Sequence, residues 1–294
     1  PLGDVHENLP PSLKATYFAS YFPGISNPGS TFWNTRKLLI GALAARAKTL
    51  DLLIDSRDMN QWADYSLYDC AACHHELKSD SARQLRGYPS APGRPRQPEW
   101  ANLQLAHIGS FLVQDEPEIM RLEAALAERI GEQPFGVADR VAETAKQLRQ
   151  RTQAAIDKAE AEPVDGKIAL GVLRGLARTP SSRLISYDSA RQVVWAMRVI
   201  ADEMETAGMP LDPQVKQMIA NLNQPQLADG KTGVATKLPA GRDQFIYAEG
   251  LRADLQRRAA FDSSVLESRL RDIDAKLSAN VTSRQSRLKS HASR

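Results

Sequence analysis

The sequence predicts an all-α fold, and three observations predict it. Apolar residues recur at helical spacing through most of the chain, and no stretch alternates as a half-buried strand would. Pro and Gly gather in a few segments that read as connections. The 294 residues are 42% hydrophobic and 25% charged, an ordinary globular balance in a chain long enough to bury a core without disulfides. No run of eighteen apolar residues exists, so no membrane span is expected. The net charge is +3, with bases dispersed among acids rather than aligned with aromatics, so nucleic acid is not an expected partner.

Element by element, residues 31–55 place Leu38, Leu39, Ala42, Leu43, Ala47, Leu50 and Ile54 close to a helical period, with Gly41 tolerated inside it. Asp58 to Tyr68 reads as a second, shorter helix. From Ser79 to Gln97 the pattern breaks at Gly87, Pro89, Pro92, Gly93 and Pro95, giving a long loop that carries Arg83, Arg86, Arg94 and Arg96. Helices are expected again over 99–113, 116–130 and 137–161, the last ending before Pro163. Three more follow over 166–178, 188–207 and 213–222, with Asp188 as an N-cap and Gly208 as a stop.

Residues 223–242, rich in Gly, Pro and polar groups, read as a linker. Helices over 243–260 and 263–279 close the chain, the second opened by a capping box of Ser264 and Glu267. Its Leu266, Leu270, Ile273 and Leu277 form a narrow seam suited to one neighbouring helix. After Asn280 a basic tail with Arg284, Arg287, Lys289, His291 and Arg294 reads as solvated. No repeat of fixed period is present.

The motif that carries chemistry is Cys70-Ala71-Ala72-Cys73-His74, and it holds both cysteines of the chain. Two intervening residues let the thiols add to both vinyl groups of a haem from one turn, and the adjacent histidine is then held under the iron. Cys70 and Cys73 are therefore the expected thioether residues and His74 the proximal ligand of one covalent haem c per chain. A thioredoxin-like redox pair would need a strand-to-helix setting in a βαβ unit. A zinc site usually needs a second ligand pair, to which His74 and His75 could contribute, but no second Cys pair exists. Neither context is visible. Covalent haem attachment of this kind occurs outside the cytosol, so a periplasmic or otherwise extracytoplasmic location is expected. No basic-then-apolar signal peptide stands at Pro1-Leu2-Gly3, and its absence does not argue for the cytosol.

Around the motif, Arg86 and Arg94 are candidates to bind the haem propionates, because guanidinium gives bidentate bonds to carboxylate. Equally, they could be loop arginines in water. Tyr65, Tyr68, Tyr88 and Trp100 could wall the haem or belong to an ordinary core. On the far side of the iron the candidates are His6, His107, Met59, Met120 or no ligand. His75, adjacent to His74, cannot reach that face and could bond a propionate or serve a neighbouring haem. His107 lies on an apolar helix face, where a satisfied core histidine is the commoner case. Methionines at helical positions usually fill core gaps.

The stretch Tyr68-Asp69-Cys70-Ala71-Ala72-Cys73-His74-His75-Glu76-Leu77-Lys78, followed by Arg83-Gln84, Arg86-Gly87-Tyr88 and Pro92-Gly93-Arg94-Pro95, resembles the last haem-binding segment of a family of multihaem c-type cytochromes. These are similar to the tetrahaem cytochrome that accepts electrons from hydroxylamine oxidoreductase. The resemblance covers roughly residues 31–100. The family carries further Cys-x-x-Cys-His motifs upstream, and this chain has none. Asp4-Val5-His6-Glu7-Asn8 resembles a Val/Thr-His-Glu segment that precedes the family's last haem motif, which favours His6 as the distal metal ligand.

Residues 101–294 resemble no known family, and the helical pattern together with the haem motif predicts a multi-helix c-type cytochrome with a helical C-terminal lobe. The expected divisions are a haem-binding domain over 1–113, a helical region over 114–222, the linker over 223–242, and a helical hairpin with basic tail over 243–294. The expected function is electron transfer to a redox partner protein rather than catalysis. An open-site haem that binds or reduces nitric oxide or peroxide is one alternative. A haem-bearing scaffold among other haem subunits of a larger redox complex is another.

Overall fold

The computed structural model describes residues 32–74, 93–98, 105, 108, 116–133, 135–184, 186–222 and 261–292, with side chains of the final helix described to Ala279. Every regular element among them is helical, as the periodicity predicts. In chain order these are α1 (Trp33–Asp58), α2 (Cys70–Cys73), α3 (Glu116–Gly131), α4 (Ala138–Ala161), α5 (Gly166–Ala177), α6 (Tyr187–Thr206), α7 (Pro213–Asn221) and α8 (Ser263–Ala292). Single 3-10 turns stand at Tyr65–Leu67 and Ser181–Arg183. None of the described helices is long and apolar enough to cross a membrane.

The fold is organised by α1 and α4, which pack together along their lengths in opposite directions. Three contacts fix that direction. Arg36 Nε donates to the Ala159 carbonyl (3.0 Å), Arg149 Nε pairs with Asp51 (2.8 Å), and Arg57 Nε donates to Asp139 (2.6 Å). Helix α1 has no cap of its own at Phe32. Instead Glu203, on α6, accepts from Asn34 N (2.6 Å), Thr35 N (2.9 Å) and Thr35 Oγ1 (2.6 Å). A carboxylate at a helix N-terminus satisfies orphan amides and complements the helix dipole.

The α1–α4 pair runs through two apolar cores. The first takes Leu39, Leu43 and Ala47 of α1 and Ala155 and Ala159 of α4, and surrounds them with α5, α6, α7 and α8. The second takes Leu50 and Leu53 of α1 and Val141, Ala145 and Leu148 of α4, and adds Ile119, Leu122, Leu126 and Ile130 of α3. Leu67 and Tyr68, just before the cysteines, are buried in this second core.

Several local expectations are corrected. No helix spans 58–68. Helix α1 runs on to Asp58, Asn60 then takes a left-handed φ of 55°, and only the turn at Tyr65–Leu67 follows. The N-cap of α6 is Ser186, whose hydroxyl accepts from Ser189 N (3.0 Å), and not Asp188. At α8, Asp262 accepts from Ser264 N (2.8 Å), while Glu267 accepts from Ser181 N (3.1 Å), so the pair Ser264 and Glu267 makes no reciprocal box. The leucine–isoleucine seam of α8 is buried against both α5 and α7 rather than one helix. Helix α8 also continues to Ala292 through the residues read as a solvated tail. Gly208, at φ 70°, follows α6 as expected of a stop. The linker 223–242 and the helix 243–260 lie outside the described residues. Of 99–113, Leu105 and Ile108 are described, and both are helical and buried in the first core.

Candidate functional site

The backbone reaches the cysteines through a short, tightly bonded approach. Asp64 accepts from Ser66 N (2.9 Å) and Ser66 Oγ (2.7 Å) and so opens the turn Tyr65–Leu67. Those bonds hold its carboxyl below the usual range. Asp69 N then donates to the Arg96 carbonyl (2.7 Å), which ties the 93–98 segment to the start of α2. Ala72 N donates to Asp69 O (3.1 Å) and His74 N to Cys70 O (2.7 Å), making Cys70–Cys73 one helical turn. Ala72 is fully buried, so the turn is seated through that residue. Cys70 and His74 are exposed and Cys73 is half-buried. The cysteines sit three residues apart in the turn and are not joined as a disulfide.

Beneath the motif lies a group of aromatic side chains. The Tyr68 ring meets Phe135 edge-on at 4.8 Å between centroids and Trp62 at 6.4 Å, and Phe135 in turn meets Tyr65 at 4.9 Å. Phe135 holds a left-handed φ of 69°, unusual for a bulky residue, and Gly136 follows at 73°. A Cβ at Gly136 would stand 2.4 Å from the Arg129 carbonyl oxygen, so only glycine fits this return into α4. Trp62 Nε1 donates to the Gly136 carbonyl (3.3 Å) and fastens the aromatic group to it. Tyr68 is 6% exposed, and its hydroxyl has no hydrogen-bond partner in the structure. Burial, reinforced by the nearby Asp64 charge, pushes that phenol well above its ordinary value.

Of the residues expected around a haem, the structure brings Cys70, Cys73, His74 and Tyr68 into one place. Arg94 is engaged elsewhere: its Nη1 donates to the Gly131 carbonyl (2.8 Å) at the C-terminus of α3, where a cation also answers the helix dipole. Met59 and Met120, expected as core fillers, are both exposed, Met59 at the C-cap of α1 and Met120 on α3. His6, His75, Arg86, Tyr88, Trp100 and His107 lie outside the described residues, as does the His291 side chain.

The donor set fits a haem bound through two thioethers. Two accessible thiols share one helical turn, an exposed imidazole follows directly, and a buried phenol without a partner lies beside them. Among the described residues no three Cys, His, Asp or Glu side chains converge on a metal-sized site.

Sequence reasoning missed a cluster of charges that joins α1, α3 and the Ser181–Arg183 turn. Arg46 on α1 bonds Glu123 Oε1 on α3, and Arg183 Nη2 bonds Glu123 Oε2 (2.7 Å). The signal was present in the spacing, because Arg46 falls in the buried series Leu39, Ala42, Leu43, Leu50, Leu53. A charge on the apolar stripe of a helix requires a buried partner. Comparison of the chain with protein-family models, with curated proteins and with solved structures finds no match.

Proposed function

We propose that the chain is a c-type electron carrier in which Cys70 and Cys73 hold one haem through thioether bonds and His74 is the axial ligand. The observation that carries this reading is the single turn Cys70–Cys73, seated by buried Ala72, with Cys70 and the next residue, His74, exposed and Cys73 half-buried. When bound, the haem supplies one-electron ferric–ferrous chemistry. The chain's own residues set the conditions for it. The Asp69–Arg96 backbone bond and the Ala72 anchor fix the thiols and imidazole in register. Tyr68, Trp62 and Phe135 form an apolar wall that keeps water from this side and disfavours added charge, a recognised lever on redox potential.

His6 is the proposed distal ligand. Arg86 and Arg94 are the proposed propionate partners, Arg94 through N–H groups not given to Gly131. Attachment would take place outside the cytosol, and a redox protein or other haem subunits would dock at an exposed haem edge.

The test is production alongside the c-type haem maturation apparatus, followed by intact mass and a pyridine haemochrome spectrum. One covalent haem is expected, absent from Cys70→Ala/Cys73→Ala, with a low-spin spectrum that carbon monoxide leaves unchanged. Unmodified thiols after maturation would overturn the proposal. A high-spin iron that binds carbon monoxide would replace electron transfer with small-ligand chemistry.

A further inference from the structure

The return between α3 and α4 carries a bulky residue where glycine is the usual choice. Phe135 stands at φ 69°, in the left-handed region, a strained conformation for a residue with a Cβ. Glycine would remove the strain, and glycine does stand at the next position, at φ 73°. The backbone around it is fixed on three sides. A Cβ at Gly136 would meet the Arg129 carbonyl oxygen at 2.4 Å, Gly136 N donates to Gln133 O (2.9 Å), and the Gly136 carbonyl accepts from Trp62 Nε1 (3.3 Å). Strain held in place this way directs attention to what the side chain touches.

The Phe135 ring touches both ends of the approach to the cysteines. It meets Tyr65 edge-on at 4.9 Å and Tyr68 edge-on at 4.8 Å, and these residues open and close the turn Tyr65–Leu67. Tyr68 is buried and stands two residues before Cys70. A second route ties the same return to the motif. Arg94 donates to the Gly131 carbonyl (2.8 Å), and the Arg96 carbonyl, two residues on, accepts from Asp69 N (2.7 Å).

We propose that Phe135 is a positioning residue for haem attachment, an inference that rests on the haem reading. Each thioether forms when a thiol adds across a vinyl double bond, sulfur to one carbon and hydrogen to the other, with no leaving group and no external oxidant or reductant. Two such bonds to one rigid macrocycle require both sulfurs to stand at set positions together. The turn Cys70–Cys73 fixes their spacing. Phe135, through Tyr68, fixes the tilt of that turn against the second core. Without the ring one thiol still reaches a vinyl, and the second bond closes incompletely.

Maturation of the chain with the c-type haem apparatus, alkylation of any remaining thiol and intact mass test this. Chains bearing one haem and one alkylated thiol should be at least about fivefold more abundant in Phe135→Leu and Phe135→Gly than in wild type. Their pyridine haemochrome band should move toward that of a haem with a free vinyl. Phe135→Tyr keeps the ring at a half-buried position and should restore the wild-type product. Leu270→Ala, a cavity in the first core, should lower the urea midpoint and keep both bonds. Two bonds in nearly every haem-bearing chain of Phe135→Leu and Phe135→Gly would overturn the proposal. So would an equal defect in Leu270→Ala, since lost stability would then explain it, or a defect that Phe135→Tyr does not repair. Wild type that takes up no covalent haem would sink the haem reading and this role with it, whereas doubly bonded wild type with unaffected variants sinks the role of Phe135 alone.

Discussion

Replacing Glu123 by glutamine removes the carboxylate that Arg46 bonds between α1 and α3. The Arg46 side chain is 7% exposed, that of Glu123 18% and that of Arg183 29%. Burial already lowers the Arg46 pKa, with Glu123 opposing the shift and Arg183 adding to it, so the native charge is held in place largely by this carboxylate. Breaking a buried ion pair from one side costs about 3–5 kcal/mol. An amide oxygen can still accept one hydrogen bond, and Arg183 can turn toward water, which places the expected loss near the low end, about 3 kcal/mol. At about 2–4 °C per kcal/mol for a chain of this size, the melting temperature should fall by about 6–12 °C.

Urea unfolding followed by far-UV circular dichroism measures this, and the midpoint should drop at constant slope. The double variant Arg46→Met/Glu123→Leu should recover most of the loss, because well-packed apolar groups replace buried pairs at little cost. A loss under about 1 kcal/mol for Glu123→Gln, or a double variant no better than the single one, would refute the reasoning.

Two further outcomes follow from the same structure. Tyr68→Phe deletes a buried hydroxyl that has no partner, so haem-free protein should be unchanged or more stable by about 1 kcal/mol in the same urea assay. A loss above about 1 kcal/mol would contradict the buried, unbonded phenol. Glu267 has a carboxyl held below its usual value by hydrogen bonds from Ser181, despite partial burial. A depressed acid contributes fully above its ordinary value of 4.5, and its contribution is lost as pH falls through the lower folded value. Wild type should therefore exceed Glu267→Gln in stability near neutral pH, and the two should converge in strong acid. A gap that persists unchanged into the acid range would count against the bond.

The long helices were legible because each buries one stripe, and a stripe has a period. Leu39, Ala42, Leu43, Leu50 and Leu53 mark α1 whatever packs on it. Helix ends were less so, because caps compete locally. Ser186 and Asp188 are both good capping residues, and the backbone that leaves Ser186 extended decides between them. Glu267 is drawn from its own helix end to Ser181, a partner 86 positions away. Between 58 and 68 only Met59, Gln61, Ala63 and Leu67 favour a helix strongly, and the chain takes a different path in which Trp62 and Tyr68 meet edge-on. The thiols and imidazole of the candidate site were legible because their chemistry is confined to five consecutive residues. Phe135, which packs on Tyr68 from the far side of α3, is fixed only by the tertiary fold.

Neither α1 nor α4 is interrupted where one core gives way to the other. Helix α1, with 26 residues, makes a rod about 39 Å long at the usual rise. The second core, where Leu67 and Tyr68 seat the cysteine turn, and the first, where α8 packs, are mounted on this one strut. With no seam along it to bend, a molecule held near Ala72 and a protein gripping the far end would keep a set spacing, as marks on a ruler do.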